Sequence, residues 1–195
     1  MATVAPFDAV VLAAGSGSRF GGGKLMAAWG AGVLLEGALA AAFAAPVRGV
    51  TVMTGADADA IAAAARAFDP RVRIVHAAHH AEGMAASLRA GIASLPADAA
   101  GAFVFLGDMP RVPHGVLQSM AQAVRAGAAA AAPVFDGRRG NPVLLGASLF
   151  PQLLALTGDA GARGVLQSLG ERLALIESPD DGVLFDVDVP ADLQP

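Results

Sequence analysis

The sequence predicts one α/β domain built on a mainly parallel sheet covered by helices. Short apolar runs alternate with alanine-rich segments of helical length along the whole chain, which is the pattern such a sheet produces. The 195 residues suit a single core of ordinary size. No composition break resembles a linker and there is no internal repeat; the low-complexity stretch Gly127–Ala132 runs straight into an apolar strand.

The strands are expected at the apolar runs, in order Phe7–Leu12, Val50–Thr54, Arg73–His76, Ala102–Leu106, Ala130–Val134, Pro142–Leu145, Leu173–Ile176 and Leu184–Val187. Helices fall between them at Leu34–Ala44, Asp57–Phe68, Met84–Leu95, Pro113–Arg125, Leu149–Leu156 and Arg163–Leu169, where alanine favours helix. In open sheets of this kind ligands gather at the carboxyl ends of the strands, so the residues just past each apolar run are the ones to inspect.

Composition narrows the chemistry. Hydrophobic residues make up 55% of the chain, but much of this is alanine, and no apolar run reaches membrane-spanning length. The N-terminus has no basic segment followed by an apolar stretch, which predicts no signal peptide and a cytoplasmic location. Cysteine is absent, excluding disulfides, thiolate metal sites and thiol nucleophiles. Any metal must therefore sit on oxygen or histidine. A net charge of −4, scattered basic residues, no tyrosine and one tryptophan argue against a nucleic-acid surface.

The first strand runs into Leu12-Ala13-Ala14-Gly15-Ser16-Gly17-Ser18-Arg19-Phe20-Gly21-Gly22-Gly23-Lys24, small residues with two cations and no acid. Such a loop can wrap backbone N–H groups round phosphates, because no bulky side chains hold the anion away. Arg19 adds a forked donor and Lys24 a point charge, suiting a triphosphate. A dinucleotide fingerprint starting at Gly15 and Gly17 fails because its third glycine falls on Phe20, and Met53-Thr54-Gly55 lacks the ribose-gripping acid. A Walker A loop fails because Ser18 and Leu25 occupy its required positions. The plainer alternative is a flexible glycine turn with exposed basic residues.

The apolar run Ala102–Leu106 ends in Gly107-Asp108-Met109-Pro110, placing Asp108 at the same edge. Mg²⁺ takes one or two carboxylates with phosphate oxygens and water, and Asp108 facing the loop would supply one. The competing reading is a turn or cap before Pro110. Asp186 and Asp188, two residues apart, would point the same way in extended chain, and one of the two, Asp188 beside the turn in preference to Asp186, is the second candidate ligand. A solvated strand face or a cap is the alternative there.

In combination these residues resemble the molybdenum cofactor cytidylyltransferases and their relatives among MobA-like nucleotidyltransferases. The resemblance spans nearly the whole chain and rests on six segments in family order. They are Leu12–Gly15 with Arg19 and Lys24, Glu82–Leu88, Gly107–Pro110, Gly137–Pro142, Gly158–Arg163, and Asp186–Pro190. It implies a Rossmann-like three-layer α/β/α sandwich and transfer of CMP from CTP to molybdopterin carrying molybdenum, releasing pyrophosphate. It also implies Mg²⁺ as the ion and, as recipient of the product, a hydroxylase of the xanthine dehydrogenase type. Guanylyl-transferring relatives have two glycines where this chain has Ala14-Gly15, so the resemblance favours cytosine.

The site set that follows has Arg19, Lys24 and Asp108 as catalytic residues and Asp108 and Asp188 on the metal. Leu12, Ala13, Ala14, Gly15, Gly17, Gly83, Met84, Ser87 and Asn141 hold the nucleotide, with the helix start at Met84 presenting free N–H groups. Arg138 and Arg139 are expected to receive an anionic pterin phosphate or else to cap an exposed hairpin. Where relatives carry an asparagine this chain reads His76-Ala77-Ala78-His79-His80, which suits a solvated loop better than a metal site. The runner-up activities are nucleotidyl transfer to a sugar or polyol phosphate, and nucleotide binding without turnover in a maturation factor.

Overall fold

The pairing of the apolar runs is seen in a computed structural model, which describes residues 6–158 and 161–193. The strands in chain order are β1 (Phe7–Ala13), β2 (Ala28–Trp29), β3 (Gly32–Val33), β4 (Val47–Thr54), β5 (Arg73–His76), β6 (Gly101–Leu106), β7 (Ala130–Phe135), β8 (Arg138–Arg139), β9 (Val143–Gly146) and β10 (Leu173–Glu177). The helices are α1 (Leu34–Ala44), α2 (Ala58–Phe68), α3 (Met84–Ala93), α4 (Gly115–Arg125), α5 (Phe150–Leu154) and α6 (Arg163–Ser168).

The main sheet runs β10-β7-β9-β6-β1-β4-β5, with β8 paired to the end of β7. Its pairs are parallel except those of β9 with β6 and β7, and of β8 with β7. The exception has a local cause. Only a short hairpin joins β7 to β9, too short for the crossover a parallel neighbour needs. That hairpin turns at Asp136 and Gly137, both with positive φ (49° and 70°), as a tight two-residue turn requires.

Alternation along the buried strands sorts side chains between two helical layers. Phe7, Ala9 and Val11 of β1, with Phe103 and Phe105 of β6, pack under α1, α2 and α4. Ala102 and Val104 of β6 face the opposite way, towards α3, α5 and α6. The result is the Rossmann-like three-layer sandwich. No helix among the described residues is long and apolar enough to cross a membrane.

Two expectations need correction. Leu184–Val187 is not a strand, although its apolar and acidic residues alternate. A 3-10 turn at Asp181–Val183 takes up the amide of Leu184, and Val187 N–H donates to Asp108 C=O at 3.1 Å. Val183 and Val187 are buried, so the segment is a strap across the strand ends, anchored by its valines and leaving its acids at the surface. The short hairpin β2–β3 lies where no strand is expected. It carries Trp29, whose ring lies 5.9 Å from that of Phe185 on the strap.

Candidate active site

The carboxyl ends of β1, β4 and β6 surround a cleft of about 730 Å³. The amide of Gly107 donates to Leu12 C=O at 3.0 Å, tying the end of β6 to that of β1. Helix α1 approaches the following turn so closely that a Cβ on Gly37 would lie 2.5 Å from Pro110 Cα. The backbone round Asp108 is thus wedged from both sides.

Leu12, Ala13, Ala14, Gly15, Gly17, Arg19, Lys24, Gly83, Met84, Ser87 and Asp108 all line this cleft. In the glycine loop, the amides of Phe20, Gly21 and Gly22 turn back onto Gly17 C=O. Those of Ser16 to Arg19 have no backbone acceptor among the described residues, so the donors left for an anion lie in the first half of the loop. Gly17 needs to be glycine, having φ +58° and Lys24 Cβ only 3.0 Å from where a methyl group on it would sit. Gly15 does not, since its φ is ordinary and nothing lies within 4 Å of where a Cβ would go. That open space adjoins the cleft. Gly15→Val is therefore expected to melt within about two degrees of wild type, as surface substitutions do, while losing triphosphate affinity at least ~10-fold by titration calorimetry, because the side chain enters the anion's place.

The charged groups converge. Lys24 Nζ lies 2.6 Å from Asp108 Oδ2 and 3.8 Å from Asp188 Oδ1, and Arg19 pairs with Asp188 Oδ2. Lys24 has a side chain only 13% exposed, against 75% for Arg19, so the lysine pairs inside the cleft and the arginine pairs at its solvent edge. The Asp108 carboxylate caps no turn; it meets the ammonium. Asp192 accepts from the amides of Asp188 and Val189, each at 2.9 Å, and these bonds, Val189's first, hold its carboxyl below the usual range. Asp188 is thereby fixed from behind.

Asp186 shows the effect of partial burial beside two other acids. Loss of solvent, then the Asp108 and Asp188 charges, push its carboxyl above the ordinary value. A raised folded-state value means that the native protein binds this proton more tightly than the unfolded chain, so stability rises as pH falls through it. Asp186→Asn is accordingly expected to melt above wild type at neutral pH without divalent cation. The gap should close below the ordinary carboxyl value of about 3.9, as melting scans across pH will show.

Among the described residues no three carboxylate or imidazole groups gather tightly enough to hold an ion unaided. Two carboxylates drawn onto one ammonium nevertheless fit a hard divalent cation that completes its shell with phosphate oxygens and water. The Lys24 charge stands where such an ion would be attracted.

Other expectations fare differently. Asn141 does not line the cleft; its amide donates to Val183 C=O at 2.9 Å, bracing the strap. The start of α3 is less open than expected, because Ala85 N–H donates to Gly158 C=O and Ala86 N–H to Gly83 C=O, each at 3.2 Å. Asp159 lies outside the described residues, and Arg163 opens α6 with an exposed side chain. His79 pairs with Glu82 at 2.9 Å in solvent, whereas His80 lines the cleft, as does Asp57. Neither carries a local sequence signal for that place, since only the lateral pairing of β4 and β5 beside β1 brings them there.

A second cleft of about 300 Å³ is lined by Phe135, Asp136, Arg138, Asp181, Leu184 and Phe185. The Arg111 guanidinium lies 4.7 Å from the Phe185 ring centroid. The two aromatic rings suit a planar molecule, and Arg138 offers one cation beside the carboxylates Asp136 and Asp181.

A mostly parallel sheet with a phosphate-suited loop at its first strand end and acids facing it defines a nucleotide-handling α/β protein of the nucleotidyltransferase kind. The chain belongs to the MobA-like NTP transferase domain family, whose model matches residues 9–173. It is similar to the crystal structure of Rv0371c from Mycobacterium tuberculosis, at 27% identity and TM-score 0.85 over 97% of this chain and 96% of that one. Rv0371c has also been solved in complex with manganese. The 4-diphosphocytidyl-2C-methyl-D-erythritol synthase of Anaerococcus prevotii shares the fold at 14% identity and TM-score 0.73, over 96% of this chain and 92% of that one. Molybdopterin-guanine dinucleotide biosynthesis protein A from Archaeoglobus fulgidus shares it at 20% and 0.65, over 95% and 94%. No curated protein matches the sequence.

Proposed function

We propose that the protein is a Mg²⁺-dependent nucleotidyltransferase that moves CMP from CTP to molybdopterin carrying molybdenum, with a xanthine-dehydrogenase-type hydroxylase as recipient of the product. The observation that supports this most is the meeting of Asp108 and Asp188 on Lys24 beside the open half of the glycine loop. The acceptor's phosphate oxygen attacks the α-phosphorus in line. The bond from that phosphorus to the bridging oxygen breaks, and pyrophosphate departs with the electron pair.

Such a reaction asks the chain for positioning and charge neutralisation rather than for a nucleophile. Asp108 and Asp188 would hold Mg²⁺, which supplies charge neutralisation across the phosphates when bound. Lys24, beside both acids, would offset charge on the phosphates with its ammonium, and Arg19 would do so on the departing group. The amides of Ser16 to Arg19 cradle the triphosphate. Ala14, in place of a glycine, narrows the base end and favours cytosine. The acceptor rests in the second cleft, because Phe185 there is three residues from Asp188. That Rv0371c has been solved in complex with manganese supports a divalent ion as cofactor.

The test is pyrophosphate release with CTP, GTP and ATP, each with Mg²⁺ or Mn²⁺, with and without molybdopterin, and with a panel of sugar and polyol phosphates. Release that needs both CTP and molybdopterin is the expected result. Release with a polyol phosphate instead moves the acceptor to the class named for the Anaerococcus synthase. Nucleotide binding without any release leaves a maturation factor.

A further inference from the structure

The main cleft is chemically divided. Arg19, Lys24 and Asp108 occupy one flank, while the other carries Asp57 and His80 beside Ala14. If the triphosphate lies against the charged flank, the nucleoside lies against the second, and the inference rests on that reading of the cleft.

The second flank is closely built. Gly55 sits between Ala14 and His80: a Cβ there would lie 2.3 Å from Ala14 O and 2.8 Å from His80 Cγ. The absence of a side chain thus lets the imidazole ring pack beside the loop's carbonyl. The ring is half-buried and offers a flat face on which a base can stack.

Asp57 immediately precedes α2, the position where an aspartate ordinarily accepts from the first-turn amides. It does not do so: its side chain makes no cap hydrogen bond, and among the described residues it forms no ion pair. It is half-buried in the cleft wall. A carboxylate held there is an acceptor without a donor.

We infer that Asp57 is a specificity-determining residue which accepts a hydrogen bond from the exocyclic amino group of the nucleobase while His80 stacks on its ring, so that the cleft selects CTP over UTP. Cytosine offers an amino group at C4, whereas uracil turns a carbonyl oxygen against the carboxylate, and carboxylates read cytosine by that amine. Rejection of the wrong partner arises from two acceptors facing each other, which is costlier than a missing contact.

The experiment is titration calorimetry of CTP, UTP and inorganic pyrophosphate, with Mg²⁺, against wild type, Asp57→Asn and His80→Ala, after circular dichroism has shown each variant folded. Wild type is expected to bind CTP at least ~10-fold more tightly than UTP. Asp57→Asn, whose carboxamide can donate to the uracil oxygen, should bring that ratio to unity or reverse it and leave pyrophosphate affinity unchanged. His80→Ala should weaken both nucleotides alike and spare pyrophosphate. A wild-type preference below about twofold, or a ratio that Asp57→Asn does not move, overturns the inference alone. Failure of every nucleotide and of pyrophosphate to bind wild type overturns the nucleotide reading of the cleft, and this inference with it.

Discussion

Asp108→Ala is expected to fold as wild type does and to lose at least ~100-fold in turnover, the scale seen when one electrostatic stabiliser of a transition state is removed. Its carboxylate meets Lys24 and supports no turn, while the local backbone is held by other contacts: Gly107 on Leu12, Val187 on the Asp108 carbonyl and Pro110 against Gly37. The variant therefore removes the charge, and with it the proposed metal ligand, without removing structure. Pyrophosphate release, measured against Mg²⁺ concentration beside a melting scan, checks it. A drop in turnover that saturating Mg²⁺ repairs would mean that Asp108 tightens the ion but does not shape the transition state; unchanged turnover would take it out of the mechanism.

Lys24→Ala should show the second-largest effect and of a different kind. Triphosphate affinity is expected to fall by ~10-fold or more, because the proposed charge-assisted contact to phosphate is lost. The lysine also neutralises Asp108 and Asp188, so its removal leaves like charges facing one another. The pair keeps some access to water, which limits the penalty to about 1 kcal/mol and the fall in melting temperature to a few degrees. Added Mg²⁺ should then raise the melting temperature of Lys24→Ala more than that of wild type, since the ion no longer competes with an ammonium for the acids. Differential scanning calorimetry with and without Mg²⁺ reads this directly; equal shifts in the two proteins would separate the lysine from the ion's site.

Much of this arrangement is legible in the chain because its signals are local. An apolar run followed by small residues and two cations predicts β1 and its loop, and an apolar run ending in Gly107-Asp108 predicts where that acid emerges. The alternation of runs and alanine-rich segments predicts the layers, with α1 and β5 at their expected bounds. What escapes a reading of the chain depends on neighbours distant in sequence. His80 and Asp57 enter the cleft only because β4 and β5 pair on one side of β1. The stretch containing Asp186 and Asp188 has a strand's alternation, but its two buried valines are anchors in the core and its amides are spent on a local turn and on Asp108. Residues 28–33 form strands of two residues each, too short to leave a periodic signal. Asn141 is singled out by resemblance alone, and motif order does not say whether a residue lines the cleft or braces the strap through its backbone.

The ring contact between Trp29 and Phe185 makes the protein its own optical probe. With a single indole in the chain, and that indole resting on the strap three residues before Asp188, fluorescence emission has one source. Its colour and quenching will follow any shift of the strap as ions or substrates enter, with no dye attached and no second fluorophore of its type to subtract.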